Sequence, residues 1–117
     1  MFIALVVVTV LLAVICLNSA AMKLRQAEAV VAVIHGTVGV PKKYLPVLAA
    51  LEIAGAVGIL IGLWLEPLGV AAAIGLVAYF LGALIGHLRV GDTKGAAAPV
   101  VPLLLSIAVL VLRLLTV

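Results

Sequence analysis

Four long apolar stretches, separated by short clusters of charged and turn-forming residues, organise this chain. They run over residues 2–21, 45–65, 68–88 and 99–117. Each is close to the roughly 20 apolar residues that a helix needs to cross a hydrocarbon core about 30 Å thick. Asn18 and Ser19 mark the polar end of the first stretch, and Pro41 and Pro46 bracket the start of the second. Glu66-Pro67 forms a minimal turn before the third, and the loop from Arg89 to Gly95 holds the turn formers Gly91, Asp92 and Gly95. The fourth stretch begins with Pro99 and Pro102, where a helix tolerates proline. The pattern predicts an all-α membrane protein: four transmembrane helices in a bundle, forming one transmembrane domain over 1–117.

The segment over 22–36 is too polar to span. Ala27, Val30, Val31 and Ile34 fall at i, i+3, i+4 and i+7, the spacing of one helical face. Arg25, Glu28 and His35 share another face. This spacing predicts a short amphipathic helix lying in the interface, ended by Gly36 and Gly39. The alternative is a plain continuation of the first span beyond the membrane.

Composition excludes the soluble alternatives. Hydrophobic residues make up 68% of the 117, and only eleven residues are charged. A soluble domain of this size has too little interior to hide that much Val, Leu, Ile and Ala. Aromatics at 4% and a net charge of +3 give no nucleic-acid footprint. Cys16 is the single cysteine, so no intramolecular disulfide and no C-x-x-C redox pair exist. Ser19-Ala20-Ala21 resembles a signal-peptide cleavage site, but no Lys or Arg precedes the apolar run. A retained span is therefore expected.

Basic residues set the orientation. Lys23, Arg25, Lys42 and Lys43 lie between the first and second spans, and Arg89 and Lys94 between the third and fourth. The turn between the second and third spans has none. By the positive-inside rule both basic connections are cytoplasmic, which places both termini outside. Trp64 suits an anchor at the outer interface.

Two charges fall inside apolar runs, Glu52 and Arg113. Arg113 sits four residues from the end and is expected to snorkel outward. Glu52 is about two turns into its span, where an ionisable group is expensive and normally faces a partner within the bundle. Lys23, His87 and the long-armed Arg89 are its candidate partners on the basic side. These readings make Lys23, Glu52 and His87 the candidate intramembrane polar site, with Asn18, Tyr79 and Arg89 as further members. Small residues recur at Gly58 and Gly62 in the second span, and at Gly75, Gly82 and Gly86 in the third. They predict close packing of these two helices on each other or, alternatively, a homodimer seam. No metal site is expected, because clustered ligands are lacking. No nucleophile–base pair or phosphate loop appears, so catalysis by the chain alone is not expected.

The chain resembles the DoxX-like proteins. The resemblance is carried by Met22-Lys23-Leu24 after the first span, by Gly39-Val40-Pro41, and by the run from Leu51 to Gly58 that contains Glu52. It continues through Tyr79-Phe80-Leu81-Gly82-Ala83 and the run from His87 to Asp92. It implies a small four-helix protein of the bacterial inner membrane, whose characteristic Lys, Glu and His correspond to Lys23, Glu52 and His87. The family takes its name from a subunit of a thiosulfate:quinone oxidoreductase, with other members tied to oxidant defence. Nothing in this sequence marks a thiosulfate site. Three functions follow as expectations: an accessory or assembly subunit of a larger membrane complex; a redox-associated binder of a quinone or lipid that uses Glu52 and His87; and an oligomeric small-solute carrier. The first is preferred. The expected partners are the lipid bilayer and a larger complex or a second copy of the chain, with no nucleic acid. No cofactor is evident, and quinone is the one class left open.

Overall fold

The computed structural model describes residues 1–116; Val117, at the end of the expected fourth span, lies outside them. The chain forms α1 (Phe2–Leu24), a shorter α2 (Glu28–Thr37), α3 (Leu45–Ile61), α4 (Glu66–Arg89) and α5 (Val100–Leu115). No strand occurs among the described residues. Four of the helices, with short helical turns before α3 and α5 counted in, are long and apolar enough to cross a membrane. α1 and α4 each pack on both α3 and α5, so the four form a ring with α1 and α4 on opposite corners.

The outer faces of these helices are apolar. Ile3, Val14, Leu51, Ile74, Ile85 and Leu104 are all more than half exposed. Such faces suit hydrocarbon, which makes no distinction between Leu inside a bundle and Leu outside it. The interior holds Leu5, Leu12, Cys16, Ile59, Leu76 and Val109.

Several boundaries differ from the sequence expectation, each for a local reason. α1 continues through Leu24, so Lys23 belongs to its last turn rather than to the next segment. The helix ends in a Schellman motif: Ala27 N–H reaches Met22 O and Gln26 N–H reaches Lys23 O. Gln26 takes the left-handed position, with φ of 49°. α2 then starts at Glu28 rather than at Met22 and widens to π-helical geometry from Ala32. Its half-buried positions are Val30, Val31 and Ile34, joined by Ala27 at the N-cap, the face read from the spacing. His35 Nδ1 meets Val40 O at 3.0 Å, and Gly39 adopts φ of 89°, where the chain turns back toward α3.

The connection between the second and third spans also lies earlier than expected. α3 ends at Ile61, and Glu66-Pro67 forms the first turn of α4 rather than a separate turn. Proline costs nothing there because that N–H has no helical partner, and the Glu66 carboxylate suits the positive end of the helix. What permits the reversal is a close backbone pass of Gly62 on Gly69; a Cβ on Gly62 would overlap the Gly69 Cα.

Arg113 does not snorkel outward. It is 7% exposed, and its guanidinium donates to Gly62 O (3.1 Å) and Thr116 O (2.7 Å). These carbonyls sit at the C-cap positions of α3 and α5. A cation placed at helix C-termini is favourable, and the tightly crossed glycines leave room for it.

Candidate functional site

At the opposite end of the ring, α1 and α3 bring two charges together inside the bundle. Lys23 Nζ lies 2.6 Å from Glu52 Oε1, with Glu52 fully buried and Lys23 8% exposed. Ser19 Oγ donates to the same carboxylate oxygen at 3.1 Å and accepts from Lys23 Nζ at 2.6 Å. Ser19 and Lys23 are four residues apart, one above the other on α1. The second carboxylate oxygen, Glu52 Oε2, is buried without a hydrogen-bond partner among the described residues.

This cluster forms part of the wall of a cavity of about 970 Å³. The rest is mostly apolar: Ile15 and Met22 from α1, Leu48 from α3, Phe80 and Ala83 from α4, and Pro102 from α5. α2 and the segment after it cover one side through Val30, Val33, Ile34 and Val38. Tyr79 lines the same cavity and lies within electrostatic reach of the Glu52 carboxyl. Its ring meets Phe80 edge to face, with centroids 5.1 Å apart.

His87 reaches the cavity wall from the end of α4, but its side-chain partner is Asp92 rather than Glu52. The pairing follows from a second Schellman motif. Gly91, at φ of 75°, lets Asp92 N–H return to His87 O at 2.9 Å. That fold-back sets Asp92 Oδ2 2.8 Å from His87 Nδ1, while Gly95 N–H donates to Oδ1 at 2.9 Å. The Gly95 amide first, and then His87, hold the Asp92 carboxyl below the usual carboxylate range. An ionised carboxylate only accepts, so Nδ1 carries the proton and Nε2 is the nitrogen left for anything entering the cavity.

The expected site residues thus divide. Lys23 and Glu52 form a direct ion pair, with Tyr79 beside them. His87 shares their cavity through a separate carboxylate. Arg89 lines the cavity rim and is exposed, and no ion pair of Arg89 occurs among the described residues. Asn18 is exposed and bonds weakly to Met22 Sδ at 3.9 Å, so it takes no part in the Glu52 network. Ser19 takes that place. The signal was available: Ser19 is one turn from Lys23, whereas Asn18 is rotated roughly 140° away from it.

The glycines divide as well. A Cβ on Gly58 would come 2.6 Å from the Ala72 Cβ, and Gly62 meets Gly69, so both lie at close crossings of α3 and α4. Gly75 and Gly82 have open space around them, and Gly86 has ordinary contact with Val38. The small residues of α4 therefore do not form one continuous seam against α3. Gly75 instead lines a shallow apolar groove of about 620 Å³ between these two helices, beside Ala71 and Ala78.

A family model described as the DoxX-like family matches residues 7–109. The chain belongs to the DoxX-like family. The matched range takes in Lys23, Glu52, His87 and Asp92 and more than half of each of the four apolar helices, and the chain is accordingly a small multi-pass membrane protein. No curated protein and no solved structure was found to match it.

Proposed function

We propose that this DoxX-like protein binds a membrane-soluble amphiphile, of the quinone or comparable ring-bearing lipid class, in the cavity beside Glu52. The observation that carries this reading is the joining of a cavity of about 970 Å³ to a buried ion pair with one orphaned carboxylate oxygen. Small-molecule sites typically measure about 300–1,000 Å³, with mostly apolar walls and a few placed polar groups. A non-functional core would be expected to close such a space, because a buried polar atom left without a hydrogen bond is costly. Lys23 supplies N–H groups, Glu52 an acceptor, and His87 Nε2 a further acceptor. The ligand itself would supply redox chemistry; these residues would bind its polar head and keep it oriented.

The setting proposed is the bacterial cytoplasmic membrane, with the basic end and this cavity on the cytoplasmic side. An accessory-subunit role draws on a different feature, the groove between α3 and α4, whose small residues suit the close approach of a foreign helix. Native mass spectrometry of the protein released from its own membrane separates the readings. A bound mass in the lipid-quinone range supports ligand binding. A stoichiometric protein partner with an empty cavity supports the subunit role, and a bare oligomer leaves the carrier.

A further inference from the structure

The stretch from Ala27 to Val40, which holds α2 and the turn after it, closes one side of the large cavity with Val30, Val33, Ile34, Val38 and Val40. Yet no residue from Leu24 to Tyr44 is itself buried. Among the described residues, every hydrogen bond of this strap ends within it or on the last turn of α1. His35 Nδ1 meets Val40 O, Thr37 Oγ1 reaches Ala32 O, and Ala27 N–H returns to Met22 O. None reaches α3, α4 or α5. The other walls are tied. The Lys23–Glu52 pair joins α1 to α3, glycine crossings join α3 to α4, and Asp92 joins His87 at the end of α4 to Gly95 on the approach to α5. The strap is also jointed at both ends, where Gln26 and Gly39 hold positive φ, of 49° and 89°. From Ala32 it takes π-helical geometry, a rare form that recurs at functional sites.

Glu52 is fully buried, so a ligand that reaches it from the bilayer has to move part of the wall. Parting α1 from α3 breaks a buried ion pair, and parting α4 from the approach to α5 breaks the Asp92 bonds. Lifting the middle of the strap breaks only apolar contacts with the bundle. We infer that the strap is the door of this cavity: it swings about Gln26 and Gly39 and admits the ligand sideways from the bilayer. Elements that open are drawn from the least stable parts of a fold, and hinges are a few element-terminal residues that absorb the change in φ and ψ. A door of this kind sets the rates of entry and release, while the walls behind it set the affinity. The inference rests on the ligand-binding reading above and adds the route of entry and the element that controls it.

The test ties the strap to α4. A Cβ on Gly86 would stand 3.4 Å from Val38 Cγ1, close enough for a disulfide in the double variant Val38→Cys with Gly86→Cys. The probe is decylubiquinone, whose fully substituted ring gives a thiol no free position. It is offered to the full chain in nanodiscs, and the rates are followed by surface plasmon resonance with empty discs subtracted. Oxidising the variant should slow association and release alike, by about tenfold or more, with Kd nearly unchanged, because a door alters the path and not its two ends. Reduction, with the reductant removed before the probe is added, should restore both rates. Equal rates in the oxidised and reduced variant, or a fall in affinity without slower release, overturn the door and leave the binding reading standing. Failure of the unaltered chain to bind removes the binding reading, and the door with it. Hydrogen exchange of the unaltered chain without ligand needs no variant. Amides over 33–38 should exchange about tenfold or more faster than those of α3, relative to intrinsic rates, and equal protection would mean that the strap does not open apart from the bundle.

Discussion

Lys23 and Glu52 illustrate how one atom-scale contact decides the behaviour of the pair. Each would be expensive alone in the bundle, and at 2.6 Å each cancels much of the other's cost. Lys23→Met should therefore destabilise the protein by about 3–5 kcal/mol, read as a shift in unfolding in mixed micelles, because it strands the fully buried Glu52. Removing both charges together should cost clearly less than that single change; equal or greater loss would mean that the pair contributes more than mutual neutralisation. The His87–Asp92 contact behaves differently with pH. The Asp92 carboxyl is held below its unfolded value, so its contribution is complete above about pH 4 and is lost as pH falls through the lowered folded value. Protection of the Gly95 amide against hydrogen exchange, taken relative to the intrinsic rate at each pH, should stay high across neutral pH and fall only in strong acid. Gly95→Ala should lower that protection at every pH, since a Cβ there would overlap Asp92 and come 2.8 Å from His87 Nδ1. At this scale the sequence made Glu52 visible as a charge in an apolar run, and Lys23 as a cation one helix away. The one-turn spacing of Ser19 from Lys23 also marked it ahead of Asn18, but nothing in the sequence showed that Asp92 captures His87. That capture depends on a backbone fold-back at Gly91, which a list of residue types does not contain.

Among the helices, small residues matter where backbones cross and not merely where glycine recurs. Gly62 against Gly69 and Gly58 against Ala72 draw α3 and α4 together, and the first of these crossings also sets the carbonyl that Arg113 caps. Gly62→Ala should cost about 1–3 kcal/mol through overpacking at that crossing. Gly75→Ala, with open space around the new methyl, should stay within about 0.5 kcal/mol of the parent. Thermal unfolding of the two variants side by side checks the contrast; similar losses would mean that the groove beside Gly75 is packed by something in the membrane, such as a second copy. Helix existence was largely legible from the four apolar stretches, because length and hydropathy alone distinguish a span. Boundaries were less so. The turn between α3 and α4 moved from Glu66-Pro67 to the residues before it, since proline is as comfortable in a first helical turn as in a loop.

Over the whole molecule, the longest dimension of the described residues is about 44 Å, enough to cross a roughly 30 Å core with both ends in the headgroup layers. One end carries the Gly62–Gly69–Arg113 crossing, and the other carries the cavity, α2 and six of the seven basic residues. With the basic end cytoplasmic, Lys94→Cys should react with a membrane-impermeant maleimide only after the cells are opened. Cys16 is buried and should stay silent as a background. Labelling in intact cells would reverse the proposed orientation. The sequence by itself determined the membrane class, four spans, the charge asymmetry between their ends, and Glu52 as the ionisable residue that topology leaves unexplained. Tertiary structure decided the pairing of Lys23 with Glu52, the inward turn of Arg113, the separate His87–Asp92 contact and the cavity between them. The physical reason is the solvent. In water a helix shows its inner face by its apolar residues, but a helix in lipid is apolar on every side, so only packing and hydrogen bonding determine which way each face turns.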